Sequence, residues 1–243
     1  MVAPFPTRML LLEYTTEHLS TRQAPPILGG MAFRKRYARF AVAIYQVLID
    51  PLISPLRPRV VRLCRALEVS DALDIASGTG AQCRALSRAG IPATGVDSSD
   101  DMIRAAIRRG LRGVRYTEGS AYDLPFEASS FDACLLILAL HEHSPSDRIR
   151  MLTEAVRVAR RYVIIADYEE PARSRTNLAW QVIRLVEETA GCEHREGFKE
   201  YVAGGSLDGF LDRQRLSVVR EDASHFGTIR LAAVTIADSL SRQ

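Results

Sequence analysis

The sequence from Ala72 to Asp167 alternates short, continuous apolar runs with segments of helical periodicity, and this alternation constrains the fold more than any other feature. The apolar runs are ALDIA, ATGVD, GVRYT, FDACLLILAL and RYVIIAD, which start at residues 72, 93, 113, 131 and 161. Strands that are apolar throughout, rather than at every second residue, are typical of a parallel sheet covered by helices on both faces. We therefore predict an α/β fold with a doubly wound sheet.

The C-terminal part of the chain departs from this alternation. The segment LSVVREDASHFGTIRLAAVTIA contains two β-rich runs that meet around residues 225–227, with too few residues between them for a crossover helix. Two strands joined in this way pair as an antiparallel hairpin. Together with the five earlier runs they predict a seven-stranded, mostly parallel sheet. Two or three helices are expected between the fifth and sixth strands.

The N-terminal part has a different pattern again. Residues 1–30 contain several prolines and glycines without a sustained period, which indicates a flexible arm. From Phe33 to Ile49 the apolar residues recur at three- and four-residue spacing and predict an amphipathic helix, and a second helix is expected from Pro55 to about Leu67. The basic residues of this region could approach an anionic membrane surface.

Composition excludes several classes of protein. With 47% hydrophobic and 25% charged residues the chain is an ordinary globular sequence, and it has no run of about 18 apolar residues that would span a membrane. The N-terminal MLLLEY is too short for the core of a signal peptide, so we expect a cytoplasmic protein. A net charge of +3 is too small to indicate a nucleic-acid partner.

The cysteines are dispersed along the chain. No Cys-x-x-Cys pair occurs, which argues against both a disulfide framework and a zinc site built on thiolates. We expect free, buried thiols at Cys64, Cys83, Cys134 and Cys192.

The first apolar run is followed directly by the glycine-containing stretch SGTGAQ. Gly78 and Gly80 lack side chains, so the backbone can turn sharply and a ligand can lie against the N-terminus of the next helix. The second run ends in Asp97, whose carboxylate could accept both hydroxyl groups of a ribose. Nicotinamide dinucleotides and S-adenosylmethionine both present a ribose at this place. A dinucleotide fingerprint would have a third glycine where this chain has Cys83.

Two longer stretches resemble one family. LDIASGTGAQCRALSRAGIPATGVDSSDDMIRAA and EGSAYDLPFEASSFDACLLILALHEH are similar to the class I S-adenosylmethionine-dependent methyltransferases, particularly the methyltransferase type 11 branch that includes the ubiquinone and menaquinone C-methyltransferases. The resemblance is strong over about residues 70–168. It implies a Rossmann-like fold, S-adenosylmethionine as the cofactor, S-adenosylhomocysteine as the product, and methyl transfer as the activity.

The same resemblance implies a division of the chain. Residues 31–243 are expected to form a single methyltransferase domain behind the arm. Its parts are the N-terminal helices (31–68), the cofactor-binding core (69–168), a helical substrate lid (169–215) and the terminal hairpin (216–243).

The resemblance also implies a set of cofactor-binding residues. Asp74 and the two glycines would line the methionine part, Asp97 would bind the ribose, and the residues after Asp97 would flank the adenine. Relatives often carry Gly-Asp-Ala after the third strand, whereas this chain has Ser120, which makes a weaker hydrogen bond than a carboxylate. The complete expected set is Asp74, Ala76, Gly78, Gly80, Asp97, Ser98, Met102, Ser120, Ala121 and Ala139.

The fourth apolar run ends in titratable residues, in the stretch LALHEHSP. By the resemblance this strand exit lies beside the transferred methyl group and forms the mouth of the site, with His141 nearest to the methyl. An imidazole has a pKa suited to a general base, and Glu142 or His143 would orient it, so we expect His141 to be catalytic. The alternative is that His141 only packs or stacks on the cofactor. No metal site is expected, because neither His194 nor His225 offers a second recognisable pair of ligands.

The substrate is expected to lie under the variable parts of the fold, which are the N-terminal helices and the lid. The residues expected to contact it are His141, His143, Tyr37 and Tyr45. Aromatic residues in these helices favour a small apolar or aromatic acceptor, and a nucleic-acid partner is not expected. Two alternatives stay open: an RNA or protein methyltransferase, and a methyltransferase-like binding protein without turnover.

Overall fold

A computed structural model of the chain describes residues 50–189 and 191–236. The predicted arm, the predicted helix from Phe33 to Ile49, and the expected substrate residues Tyr37 and Tyr45 lie outside the described residues. The strands are β1 (Ala72–Ile75), β2 (Ala93–Asp97), β3 (Val114–Glu118), β4 (Phe131–Ile137), β5 (Ala159–Tyr168), β6 (Val218–Ser224) and β7 (Ile229–Thr235). The helices are α1 (Leu56–Ala66), α2 (Ala81–Arg88), α3 (Asp100–Arg108), α4 (Pro145–Val158), α5 (Leu178–Thr189), α6 (Cys192–Ala203) and α7 (Ser206–Arg213).

The seven strands form one sheet in the order β3-β2-β1-β4-β5-β7-β6. Strands β1 to β5 are parallel, whereas β7 runs antiparallel to both β5 and β6. The predicted seven-stranded α/β sheet with an antiparallel C-terminal hairpin is therefore confirmed. From β1 the chain adds β2 and β3 on one side and then crosses to add β4 on the other side of β1. This reversal of strand order leaves a crevice at the carboxyl ends of β1 and β4.

The continuous apolar runs form the buried central strands of this sheet. All four residues of β1 are buried, as are five consecutive residues of β4 and six of β5. The residues of the edge strands β3 and β6 are instead mostly half-buried or exposed. The hairpin turn is a short 3₁₀ segment at His225–Gly227, as the sequence predicted.

Two capped helices position the loops that leave the strand ends. The side chain of Ser99 accepts a hydrogen bond from the Met102 N–H at the start of α3, where two acidic residues also face the positive end of the helix. Ser144 caps α4 by accepting from the Asp147 N–H, and a proline occupies the first turn. The stretch LALHEHSP is thus fixed between the end of β4 and the cap of α4.

The helices α5 to α7 follow β5, and we call them the lid helices. A buried arginine of α4, Arg148, ties them to the core: its Nε donates to the Leu140 carbonyl (3.0 Å) and its Nη2 to the Gly197 carbonyl of α6 (2.7 Å). Its guanidinium also lies over the ring of Tyr201. A Cβ at Gly197 would come within 2.7 Å of the Glu142 carbonyl oxygen, so the glycine permits α6 to approach the end of β4 closely.

Three of the four cysteines are buried and free, as expected, but Cys192 is exposed at the start of α6. The expectation of a buried thiol was therefore wrong at this position, because α6 presents its first residue to solvent. Within the described ranges, no helix has the length and hydropathy needed to cross a membrane.

Candidate active site

The loop between β1 and α2 contains three residues with positive φ. Ala76, Gly78 and Gly80 have φ values of 57°, 52° and 71°. A Cβ at Gly80 would lie 2.3 to 2.5 Å from atoms of the Tyr116 side chain, so this glycine is required for packing as well as for backbone conformation. A Cβ at Gly78 would meet no atom of residues 50–189 or 191–236 within 4 Å, so within these ranges the backbone leaves room for a ligand to approach.

Asp97, at the end of β2, holds this loop in place. Its Oδ2 accepts a hydrogen bond from the Gly78 N–H (2.7 Å) and its Oδ1 accepts one from the Ser99 N–H (2.8 Å). Burial raises the pKa of Asp97, and these two hydrogen bonds oppose that shift. The acidic residue expected at the ribose therefore also organises the glycine loop.

Asp74 lies beneath the loop in the centre of β1. Its side chain is buried and accepts a hydrogen bond from the Cys83 thiol, with Sγ 3.3 Å from Oδ2. Burial raises the pKa of Asp74 to about 7, because the hydrogen bond from Cys83 compensates only part of the lost hydration. Cys83, which stands where a dinucleotide fingerprint has its third glycine, thus supports an acidic residue of the site.

A cleft lies next to the loop, bounded by residues of α1, β1, α2 and the end of β4. Asp74 and Ala76 are in its wall, together with Ser77, Thr79 and Gln82. The hydroxyl groups of Ser77 and Thr79 and both amide atoms of Gln82 are buried without a hydrogen-bond partner in the described part of the chain. Buried polar groups are almost always paired in folded proteins, so this concentration of unpaired groups indicates a polar ligand. Sequence reasoning missed these three residues, although two of them flank Gly78.

The side of the crevice near β3 holds the residues expected at the adenine. The Gly119 N–H donates to the Asp97 carbonyl (3.0 Å), which brings the segment after β3 beside the end of β2. Ser98 and Ser120 are exposed, and Met102 and Ala121 are half-buried. The Ser120 hydroxyl accepts from the Tyr122 N–H (3.2 Å) and so orders its own turn.

His141 has a different environment from the one expected at a site mouth. It is buried, with 5% of the residue exposed, beneath the rings of Tyr168, His194 and Phe198. The end of β4 reaches the cleft through Ile137. Ala139 is also buried. The reason for the burial is the close approach of α6, which no sequence pattern indicated.

A carboxylate from the neighbouring strand holds His141. The Oδ1 atom of Asp167, near the end of β5, lies 2.8 Å from His141 Nδ1, and its Oδ2 accepts from the Leu140 N–H (2.8 Å). Burial alone would lower the pKa of His141, but the adjacent Asp167 carboxylate raises it. The other ring nitrogen, Nε2, faces Glu187 of α5, 3.8 Å from its Oε2.

A second histidine completes this group. Nδ1 of His194, on α6, lies 3.0 Å from Oε2 of Glu142, and its Nε2 contacts Oε2 of Glu187. The hydrogen bonds to Glu142 and Glu187 raise the pKa of His194 to about 10. His143 lies at the edge of this group: its Nε2 is 3.6 Å from Oε1 of Glu142, and its Nδ1 is 3.0 Å from the Tyr122 hydroxyl. Glu187 and His194 thus both face His141, an arrangement that the sequence did not indicate.

The fold and the cleft define the class of protein. A glycine loop after β1, an acidic residue at the end of β2, and a crevice between β1 and β4 are together the features of a Rossmann-like fold. Residues 73–166 match the family described as "Methyltransferase domain".

Two curated relatives share extended similarity with the chain. Over 107 residues it is 39% identical to demethylmenaquinone methyltransferase from Thermotoga maritima, covering 43% of this chain and 45% of that protein. Over 169 residues it is 28% identical to fatty-acid O-methyltransferase from Mycolicibacterium smegmatis, covering 66% of this chain and 60% of that protein. The matched region thus spans about half of the first relative and less than two thirds of the second.

Solved structures share the fold. Magnesium protoporphyrin IX methyltransferase from Synechocystis, crystallised with bound SAH, superposes with a TM-score of 0.58 at 16% identity, covering 83% of this chain and 94% of that one. Mitomycin 7-O-methyltransferase gives a TM-score of 0.53 at 18% identity, over 69% of this chain and 49% of that one. At these identities the similarity establishes the fold alone.

Proposed function

We propose that the chain binds S-adenosylmethionine in the cleft beside the glycine loop and transfers its methyl group to a small, apolar or aromatic molecule. The observation that carries the proposal is the set of unpaired, buried polar groups of Ser77, Thr79 and Gln82 around a loop whose Gly78 leaves room for a ligand within the described ranges. Such a cradle fits the amino-acid part and ribose of the cofactor. It also lies in the matched methyltransferase domain.

Each part of the cofactor has a candidate partner. The Asp97 carboxylate keeps lone pairs for ribose hydroxyl groups beyond its two backbone bonds, and ionised Asp74 attracts the ammonium group. The adenine is assigned to the exposed edge formed by Ser98, Met102 and the Ser120–Ala121 segment. When bound, the cofactor supplies a methyl group that its own sulfonium makes electrophilic. The chain's contribution is to orient the acceptor and exclude water.

Removing the Thr79 hydroxyl is expected to affect folding stability and cofactor affinity in opposite directions. Because this hydroxyl is buried without a partner, Thr79→Val is expected to leave the free energy of unfolding unchanged or raise it. The same change is expected to weaken S-adenosylhomocysteine binding by about 5- to 10-fold, the equivalent of one hydrogen bond. Calorimetric titration and chemical denaturation of the two proteins measure both effects.

Thr153→Val is the matched control, because its hydroxyl donates to the Ile149 carbonyl within α4, away from the cleft. It should leave the affinity unchanged. Equal affinity in wild type and Thr79→Val would remove Thr79 from the cofactor site.

Asp74 predicts how cofactor affinity depends on pH. Its pKa of about 7 is raised above the ordinary value of 3.8, so the folded, ligand-free protein holds a proton that the unfolded chain releases. This protonation favours the folded state at low pH, and the contribution is lost as the pH rises through 7. The ligand's ammonium group prefers the ionised carboxylate. We therefore expect affinity for S-adenosylhomocysteine to weaken below pH 7, approaching about tenfold per pH unit.

Titrations between about pH 6 and pH 8 check this slope, with Asp74→Asn beside the wild type. The variant cannot ionise, so its affinity should be weak and nearly constant with pH. A wild-type affinity that does not change across this range would contradict the ammonium assignment.

The acceptor class rests on the relatives and on the lid. Demethylmenaquinone and a fatty acid, named as substrates of the two relatives, are small molecules with long apolar parts. The lid helices carry a buried aromatic core of Trp180, Phe198, Tyr201 and Phe210, which supports an apolar environment on the side assigned to the acceptor. Incubation with labelled S-adenosylmethionine and separate lipid-extract, RNA and protein fractions tests the class. Label in RNA or protein alone would contradict a small-molecule acceptor, and cofactor binding without transfer to any fraction would favour a binding protein.

The role of His141 as a base stays a prediction. Its Nδ1 is held by Asp167, which leaves Nε2 as the nitrogen able to accept a proton. That atom faces Glu187 and His194, so the same geometry also allows this nitrogen to act as a metal ligand.

A further inference from the structure

We propose that His141, Glu187 and His194 form a binding site for a divalent transition-metal ion, best matched by Zn²⁺, which fastens the lid helices α5 and α6 to the end of β4. The three residues each offer one ligand atom, and these atoms lie within 4.8 Å of one another. The site is separate from the cofactor cleft. It does not depend on the function proposed above.

The distances suit a metal after small side-chain movements. In a tetrahedral zinc site, ligands at about 2.0–2.1 Å from the ion lie about 3.3 Å from each other. His141 Nε2 and Glu187 Oε2 are 3.8 Å apart, close to that separation. The direct contact between His194 Nε2 and Glu187 Oε2 must lengthen, which a rotation of either side chain provides.

Each ligand is oriented by a further hydrogen-bonding group, as in established metal centres. His141 is held through Nδ1 by Asp167 (2.8 Å), and His194 through Nδ1 by Glu142 (3.0 Å). The Tyr168 hydroxyl donates to the other oxygen of Glu187, Oε1 (2.9 Å). Pairing of a ligand histidine with a carboxylate fixes the tautomer that leaves the second nitrogen free for a metal. Here both histidines have this arrangement, and both Nε2 atoms face the same oxygen of Glu187, so a bound ion takes the place of the proton between His194 and Glu187.

The donor set and its charge favour a zinc-like ion. Two imidazoles and one carboxylate suit Zn²⁺ and related transition metals, whereas Mg²⁺ and Ca²⁺ prefer oxygen ligands throughout. The group contains three carboxylates, Asp167, Glu142 and Glu187, and Arg148 contributes a positive charge near Asp167. A quarter of the His194 side chain is exposed, so an ion can enter from solvent.

The positions of the three ligands mean that a bound ion would connect the lid helices to the central sheet. His141 follows the central strand β4, whereas Glu187 belongs to α5 and His194 to α6. One ion therefore links the end of β4 to two consecutive lid helices that come later in the chain. We expect metal binding to stabilise the lid in its packed position, adding to the hydrogen bonds that Arg148 makes to Leu140 and Gly197.

The test is zinc binding by the complete, chelator-treated chain. We expect one Zn²⁺ per chain by elemental analysis, a higher unfolding temperature with Zn²⁺, and a Co²⁺ derivative with the visible absorption of a tetrahedral site. Glu187→Gln and His194→Ala should lower zinc affinity by at least about 100-fold, and Asp167→Asn by about 10- to 100-fold.

Two controls accompany these variants. Glu188→Gln changes the next residue of α5, a half-exposed carboxylate beside Arg184, and should leave zinc binding unchanged. Cys192→Ser removes the exposed thiol at the start of α6 and should also leave the stoichiometry at one. The Co²⁺ spectrum of the wild type keeps the test valid if a ligand variant does not fold.

The proposal would be overturned if the wild type took up no zinc, or if Glu187→Gln bound it as tightly as the wild type. The group would then be a hydrogen-bonded network in which a proton on His194 joins Glu142 and Glu187. Binding of S-adenosylhomocysteine is measured on the same samples. Cofactor binding without zinc contradicts only the metal site, and zinc binding without cofactor contradicts only the proposed function.

Discussion

Replacing Asp97 by alanine is expected to weaken S-adenosylhomocysteine binding by at least about 100-fold, because two hydrogen bonds to a charged group contribute about 3 kcal/mol together. The carboxylate is the proposed partner of the ribose hydroxyl groups. It also accepts the Gly78 and Ser99 N–H groups, so its loss releases the glycine loop from β2. Calorimetric titration of wild type and variant measures the change.

Asp100→Ala is the matched control for this experiment. Asp100 begins α3 only three residues later, and its side chain is half exposed in an ion pair with Arg104. Removing it should change the affinity less than about twofold, since exposed ion pairs contribute little. Wild-type affinity in Asp97→Ala would show that the ribose binds elsewhere, provided that circular dichroism shows the variant to be folded.

Gly80→Ala is expected to lower the free energy of unfolding by about 2–5 kcal/mol. A side chain at φ 71° costs about 1–2 kcal/mol, and the new Cβ would lie 2.3 Å from the Tyr116 hydroxyl oxygen, which costs about 1–3 kcal/mol more. Gly78→Ala is the comparison, because its φ is 52° but no atom of the described part of the chain lies within 4 Å of its Cβ position. It should cost only the backbone part, about 1–2 kcal/mol.

The cause of the difference can be isolated with a double-mutant cycle. Removing the ring with Tyr116→Ala should relieve the clash, so that Gly80→Ala costs at least about 1 kcal/mol less in that background than in the wild type. Denaturation curves of the four proteins give the coupling. Equal costs for the two glycine substitutions would contradict the close packing of Tyr116 on the loop.

The sheet could be predicted from the sequence because a strand that is buried on both faces is a continuous run of apolar residues. ALDI, the core of β1, is apolar except for Asp74, and that one exception proved to be a site residue. The turn at residues 225–227 was equally readable, since too few residues separate β6 from β7 for any other connection. Likewise, Gly78 and Asp97 were each predicted to contact one ligand from their places after β1 and β2, and a hydrogen bond joins them.

The group around His141 could not be predicted in the same way. Helical periodicity indicates that the lid helices form, but not which of their residues face the core. Glu187 and His194 lie on separate helices, and they meet His141 only because Gly197 lets α6 approach the backbone of Glu142. The hydrogen-bond partner of Asp74 could not be predicted either, because the pairing depends on how α2 packs on β1. Cys83 was considered as a buried thiol and as a departure from a glycine fingerprint, but not as a partner of Asp74, whose carboxylate accepts a hydrogen bond from its thiol.

The insertion of the lid helices between β5 and β6 has a consequence for folding and for the divergence of this architecture. The two ends of the insertion are fixed by β7, which pairs with both β5 and β6. The entropy lost on closing such a loop grows only logarithmically with its length, by about 0.6 kcal/mol for each doubling. Segments of very different length can therefore occupy this position while the sheet folds unchanged, so the part of the chain assigned to the acceptor can be replaced without rebuilding the part assigned to the cofactor.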